Sequence, residues 1–264
     1  VVLGAPVVPA PALAPAPDVI AEAARLLGGA KRPLIMLGGG AVDAGAPILA
    51  LAEMLQAPVV MTRNALGVVS DRHYLAQKLP AGNRLWADAD VVLAVGTRLN
   101  PAWPAWGVDD DLTLIRLDID DEEIDRAGAP HVRIHADATL GVQALVDATP
   151  AHNGERASRE AELTALRADL DRELREKLGP QMAYLDVLRK GLPDNGILVE
   201  ELTQVAYVSR FAFPIYEPRT FIGSGYQGTL GFGFATALGV KVGNPDRPVL
   251  SITGDGGFMY NLSL

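Results

Sequence analysis

The segment Pro33-Leu-Ile-Met-Leu37-Gly38-Gly39-Gly40 is an apolar run of single-strand length stopped by three glycines. A short run bounded in this way suits a strand buried on both faces. Helical patterns flank it, one from Asp18, placed as its N-cap, to about Leu27 and one over roughly Gly45 to Gln56. Strands are then expected at Pro58–Thr62, Asp90–Val95, Thr113–Ile119 and His131–His135. Further helices are expected near Asp121–Ala127 and Asp137–Ala148. Near-continuous apolar strands alternating with helices predict an α/β fold, a parallel sheet covered by helices on both faces. Ligands of such folds sit at the carboxyl ends of the strands.

Outward from this Rossmann-like unit, taken as residues 18–150, the chain changes character. Residues 1–17 hold five prolines and read as an extended linker. Residues 151–180 carry a charged helix, from about Glu155 to Leu178, with Leu163, Leu166, Leu170, Leu174 and Leu178 on one stripe. It is either a linker helix packed on a neighbouring domain or a coiled-coil partner, and Gly179-Pro180 is expected to end it. Residues 181–264 begin a second α/β unit. Its expected elements are a helix from Met182 to Lys190, a strand at Ile197–Val199 and a helix from about Glu200. A strand near Phe221, a helix over Thr229–Val242 and a strand at Val249–Ile252 follow.

The 264 residues are 49% hydrophobic, which suits a globular chain. A net charge of −9 argues against a nucleic-acid partner and against docking on an anionic membrane. There is no cysteine, so thiolate catalysis and disulfides are excluded, and a reducing, cytoplasmic location is expected.

The chemistry concentrates after Gly223. Ser224-Gly-Tyr-Gln-Gly228-Thr229-Leu230-Gly-Phe-Gly233 places small residues where a backbone passes close to something and then enters a helix. This is either a tight strand-to-helix turn or a turn offering free N–H groups to an anion. The strand Pro248-Val-Leu-Ser-Ile-Thr then delivers Gly254-Asp255-Gly256-Gly257, a single carboxylate between glycines. Mg²⁺ commonly takes one or two carboxylates plus phosphate oxygens, and the glycines leave room for a diphosphate.

These stretches resemble the diphosphate-binding domain of thiamine-diphosphate-dependent enzymes of the acetolactate synthase type. Gly38-Gly-Gly40, Ala57-Pro-Val-Val60, Ala89–Arg98 and Leu117-Asp-Ile-Asp120 resemble the family's middle domain, in order. The resemblance implies thiamine diphosphate and Mg²⁺ as cofactors, with Asp255 as the metal ligand. It implies a cofactor-binding set of Gln204, Gly228, Thr229, Leu230, Gly254, Asp255, Gly256 and Gly257. Leu230 would prop the bent cofactor; the alternative is an ordinary core leucine at a helix start. Ala235 departs from the proline common in relatives. The implied reaction is decarboxylation or carboligation of a 2-keto acid, led by acetolactate synthesis from pyruvate. The protein would be a homodimer or homotetramer.

The family's activating glutamate belongs to a domain that precedes this region, and its second metal-site residue lies well beyond Asp255. The chain begins on Val1 and ends nine residues after Asp255. It is therefore expected to be a fragment, truncated in its last domain, with no catalytic residue of its own and no activity alone. FAD, which acetolactate synthases bind through the middle domain, is put in doubt by Gly96-Thr-Arg98-Leu-Asn-Pro, which departs from their loop.

His131 and His135 would lie ~13 Å apart on a strand at ~3.3 Å per residue, so they are not read as a metal pair. The acidic cluster Asp118, Asp120–Glu123 and Asp125 is read as a solvated turn, with a nucleotide ribose contact as the alternative. Trp103-Pro-Ala-Trp106 is read as a packed loop, with ligand stacking as the alternative. Competing functions are a benzoylformate- or pyruvate-decarboxylase-like enzyme, a non-catalytic FAD- or NAD-binding module, and a scaffold that keeps only the fold.

Overall fold

A computed structural model describes residues 11–100, 105–108, 111–126, 128–225 and 227–262. The first unit comprises α1 (Pro17–Gly29), β1 (Pro33–Leu37), α2 (Gly45–Leu55), β2 (Val59–Met61), β3 (Ala76–Lys78), α3 (Leu79–Trp86) and β4 (Val91–Val95). It continues through β5 (Thr113–Asp118), α4 (Asp121–Asp125), β6 (Val132–His135) and α5 (Ala138–Ala148). Its six strands are all parallel in the order β3-β2-β1-β4-β5-β6. The order reverses at β1, so the crevice between β1 and β4 is the topological switch point. β1 and β4 are buried at every residue, as their uninterrupted apolar sequences require. Helices flank the sheet: α1 and α2 each contact α5, and α3 contacts the next helix, α6 (Glu160–Gly191).

Several expectations are corrected. Asp18 does not cap α1; Pro17 occupies the first turn after Ala16, and Asp18 lies within it. Proline suits that place because its missing N–H would be unpaired there in any case. Helix α6 is one kinked element, where two helices broken at Gly179-Pro180 were expected. The break survives as non-helical angles at Leu178 (φ −132°, ψ 36°) ahead of Pro180, which lacks an N–H and clashes with the preceding turn. The leucine stripe packs inward, with Leu163 buried and Leu166, Leu170, Leu174 and Leu178 half-buried against the core. That is the packed-helix reading and leaves no seam for a coiled-coil partner. β3 and α3 were not expected at all.

The second unit contains β7 (Ile197–Glu200), α7 (Gln204–Ala212), β8 (Phe221–Gly223), α8 (Phe232–Gly243), β9 (Val249–Ile252) and α9 (Asp255–Met259). Its sheet is parallel in the order β8-β7-β9. α7 begins four residues later than expected, because β7 runs on through Glu200 and Thr203 caps the helix, accepting from Ala206 N at 3.1 Å. α8 also begins later, at Phe232, because Gly231 holds φ +82°. Thr229 and Leu230 thus precede the helix. Among the described residues no helix is long and apolar enough to cross a membrane.

Candidate functional site

Three parallel strands end on one edge of the second sheet, and the turns after β8 and β9 meet there. β7 delivers Glu200 and Glu201, both 0% exposed. The Glu201 carboxylate accepts hydrogen bonds from Gly231 N at 2.6 Å, Gly233 N at 2.8 Å and Thr253 Oγ1 at 2.7 Å. It therefore joins the glycine-rich turn after β8 to the turn after β9. Asn261, also buried, donates to the carbonyls of Gly231 (3.1 Å) and Gly257 (3.4 Å).

These bonds correct the expectation of free N–H groups in the glycine-rich turn. At Gly231 and Gly233 an internal carboxylate already takes them. Of the glycines in the last turn, Gly257 follows from the same contact. A Cβ at Gly257 would stand 2.0 Å from Glu201 Oε1, whereas one at Gly256 would meet nothing within 4 Å. Gly254 lies against the loop before α7, its Cβ direction 3.4 Å from Thr203 Cγ2.

Asp255 opens α9 and is exposed, with Oδ1 accepting from Gly256 N at 2.8 Å. Gln204 opens α7 and accepts from Gln181 Nε2 at 2.9 Å. Gly228 is half-buried with φ +64°, Thr229 is exposed and Leu230 is 51% exposed. Within this chain, then, Leu230 is not packed in the core. Residue 226 of the turn lies outside the described residues.

A magnesium–diphosphate group fits these residues. One exposed carboxylate stands beside open space at Gly256, and the described residues contain no cluster of three His, Cys, Asp or Glu. An all-protein metal cage is thus absent among them, while Mg²⁺ commonly completes its shell with phosphate oxygens and water.

Beneath the site, Glu200 makes a two-pronged pair with Arg210 (3.0 and 2.9 Å). Burial pushes its carboxyl pKa up, opposed by the bonds and charge of Arg210 and by the charge of Arg63. Arg63 comes from the loop after β2, donates to the Gly225 carbonyl and lies 3.9 Å from Glu200 Oε1. Burial lowers its pKa, with the charge of Arg210 acting the same way. One guanidinium therefore touches both units.

The switch-point crevice has a volume of about 520 Å³ and is lined by Gly38, Arg63, Gly96, Thr97, Arg98 and Arg210, among others. A Cβ at Gly38 would fall 2.1 Å from Gly96 O, so only glycine permits the loops to meet. Buried Arg116 holds the far wall by donating to Thr97 O and Ile124 O, each at 2.7 Å. A larger groove of about 690 Å³ lies between residues 71–81 and α6, and contains none of the turn residues.

The set-aside residues have structural partners. Asp120 caps α4 by accepting from Glu122 N at 3.1 Å, and Arg133 bridges Asp121 and Asp125. His131 Nδ1 accepts from Leu114 N at 3.0 Å, and His135 lies 3.1 Å from Ile119 O. Trp106 packs edge-on against Trp86 at 5.6 Å, while Trp103 lies outside the described residues. Glu201, Asn261 and Arg63 are the site residues that sequence reasoning missed.

Residues 20–145 match the family described as thiamine pyrophosphate enzyme, central domain, and residues 203–263 match thiamine pyrophosphate enzyme, C-terminal TPP binding domain. The chain belongs to the thiamine-diphosphate-dependent enzymes. It is 32% identical over 252 residues to a probable 2-ketoarginine decarboxylase of Pseudomonas aeruginosa, covering 93% of this chain and 45% of that one. It is 32% identical over 261 residues to the acetolactate synthase isozyme 1 large subunit of Escherichia coli, with the same coverage. A probable sulfoacetaldehyde acetyltransferase of Rhizobium meliloti is 32% identical over 284 residues, 94% of this chain and 48% of that one. The chain thus spans about half the length of these thiamine-diphosphate enzymes.

Proposed function

We propose that this chain holds thiamine diphosphate and Mg²⁺ for decarboxylation or carboligation of a 2-keto acid, with acetolactate synthesis from pyruvate as the leading reaction. The observation that carries the proposal is Asp255, exposed at the carboxyl end of β9 beside turns fixed on Glu201. Asp255 would bind the metal. Gly256 leaves space for the diphosphate, and Gln204, Gly228, Thr229 and Leu230 would line the approach. When bound, thiamine diphosphate supplies the electron sink that decarboxylation of a 2-keto acid requires. In this reading the chain binds and orients, and none of its residues carries an acid–base step.

The relatives' names span a 2-ketoarginine decarboxylase, acetolactate synthases and sulfoacetaldehyde acetyltransferases, so the substrate is best tested as a panel. The whole protein would be offered pyruvate, benzoylformate and 2-ketoarginine with thiamine diphosphate and Mg²⁺, following CO₂ and condensation products, and sulfoacetaldehyde, which has no carboxylate to lose, following its consumption. Acetolactate from pyruvate supports the leading reaction, CO₂ with no condensation supports a simple decarboxylase, and Mg²⁺-independent cofactor binding contradicts both.

The switch-point crevice supports a second ligand, a nucleotide such as FAD, because three arginines and close-packed glycines line it. Flavin absorbance co-purifying with the protein tests it. A homodimer or homotetramer in the cytoplasm belongs to the same proposal, and sedimentation velocity tests the assembly.

A further inference from the structure

We infer that Glu201 is the positioning residue of the cofactor-holding turns, its carboxylate filling the anion place at the start of α8 and fixing that helix relative to Asp255. The inference rests on the proposed cofactor reading for its purpose, but its geometry stands on this chain alone. Both oxygens are occupied: Oε1 accepts from Gly231 N, and Oε2 accepts from Gly233 N and Thr253 Oγ1. Negative charge at a helix N-terminus is favourable, and here the side chain that supplies it is fully buried.

Thr253 stands two residues before Asp255. One side chain therefore sets the position of the metal carboxylate against the glycine-rich turn. Asn261 holds the other side of the Gly231 peptide, donating to its carbonyl while Glu201 accepts from its N–H. Gly233 and Gly257 are glycine because Glu201 leaves no room, with Cβ positions 2.7 and 2.0 Å from its oxygens. A ligand diphosphate is consequently recognised through metal on Asp255, and the N–H groups of Gly231 and Gly233 are not part of its cradle.

The test compares the chain with Glu201→Ala, Glu201→Gln and Asp255→Asn. Amide hydrogen exchange is followed by NMR, and binding of inorganic diphosphate with Mg²⁺ is followed by calorimetry. In Glu201→Ala the Gly231 and Gly233 amides are expected to exchange about tenfold faster or more, with β7 protection unchanged, and diphosphate affinity to fall by about tenfold, the size of a lost charged hydrogen bond.

Added formate, a small carboxylate that can occupy the vacated place, is expected to restore affinity in Glu201→Ala but not in Asp255→Asn. Glu201→Gln keeps the volume and loses the charge. It serves if the alanine variant fails to fold, and is expected to show faster exchange without formate rescue. Unchanged Gly231 and Gly233 exchange in either Glu201 variant, or weakened diphosphate binding in a folded Glu201→Ala that formate leaves unrestored, overturns the inference. Failure of the wild-type chain to bind Mg²⁺-diphosphate overturns the cofactor reading instead, and the exchange result still decides the role of Glu201.

Discussion

Gly257 and Gly256 are adjacent glycines with opposite demands. Alanine at 257 would drive a methyl group to 2.0 Å from Glu201 Oε1, whereas alanine at 256 has open space. Gly257→Ala is expected to cost about 1–3 kcal/mol, the usual size of overpacking, and to weaken cofactor binding. Gly256→Ala is expected to leave stability within about 0.5 kcal/mol, as a surface change does. Urea unfolding of the two variants checks this. The difference also shows what the sequence could reveal at this scale. Asp255 could be singled out because its Gly-Asp-Gly, a common turn pattern by itself, follows an apolar strand and an earlier glycine-rich turn. Glu201 could not be, because its partners stand 30 to 52 residues away and only the sheet order brings them together. Asn261 clamps two carbonyls, a use that leaves no local pattern in the sequence.

Helix α6 shows the same division between local and distant causes. Its leucine stripe and the Gly179-Pro180 break could be read directly, but the continuation of the helix beyond the break depends on Met182 and Leu185, which are buried in its second half. β3 was missed because Ala-Gln-Lys has no apolar run, and pairing with β2 alone makes it a strand. α3 contains Pro80 and Gly82, whose helix propensities are the lowest, so its burial against the sheet outweighs its sequence. Leu163→Ala, at the only fully buried leucine of the stripe, is expected to destabilise the protein by about 2–4 kcal/mol in thermal or urea unfolding.

Arg159 and Arg32 hold the start of α6 through Glu162 and lower its carboxyl pKa from 4.5 to about 2, the bond from Arg159 contributing most. A lowered folded pKa contributes stability above the unfolded value, and that contribution is lost as pH falls from about 4.5 towards 2. Solvent screening keeps it below about 1 kcal/mol, since the Glu162 side chain is 40% exposed. Glu162→Gln is expected to flatten the acid limb of a stability–pH curve, lowering stability by that amount near neutrality and changing nothing below about pH 2.

At the scale of the whole molecule, two parallel sheets are joined by a kinked helix and by Arg63, which reaches from one unit to the Gly225 carbonyl and Glu200 of the other. The doubly wound architecture was legible because each buried strand is a continuous apolar run, and the family resemblance rested on the same strands and glycine turns. In the proposed reading a cation mediates between a diphosphate and Asp255, because both are anions.

The account therefore stands on one measurement, the thermal shift of the chain titrated with thiamine diphosphate with Mg²⁺ or with chelator. The expected result is a saturable rise in midpoint with Mg²⁺, worth about 2.7 kcal/mol at a hundredfold excess over Kd. No shift is expected with chelator, and none in Asp255→Asn, whose own midpoint without ligand stays that of the wild type. A wild-type chain that shows no Mg²⁺-dependent shift, or an Asp255→Asn variant that shifts equally, would contradict it.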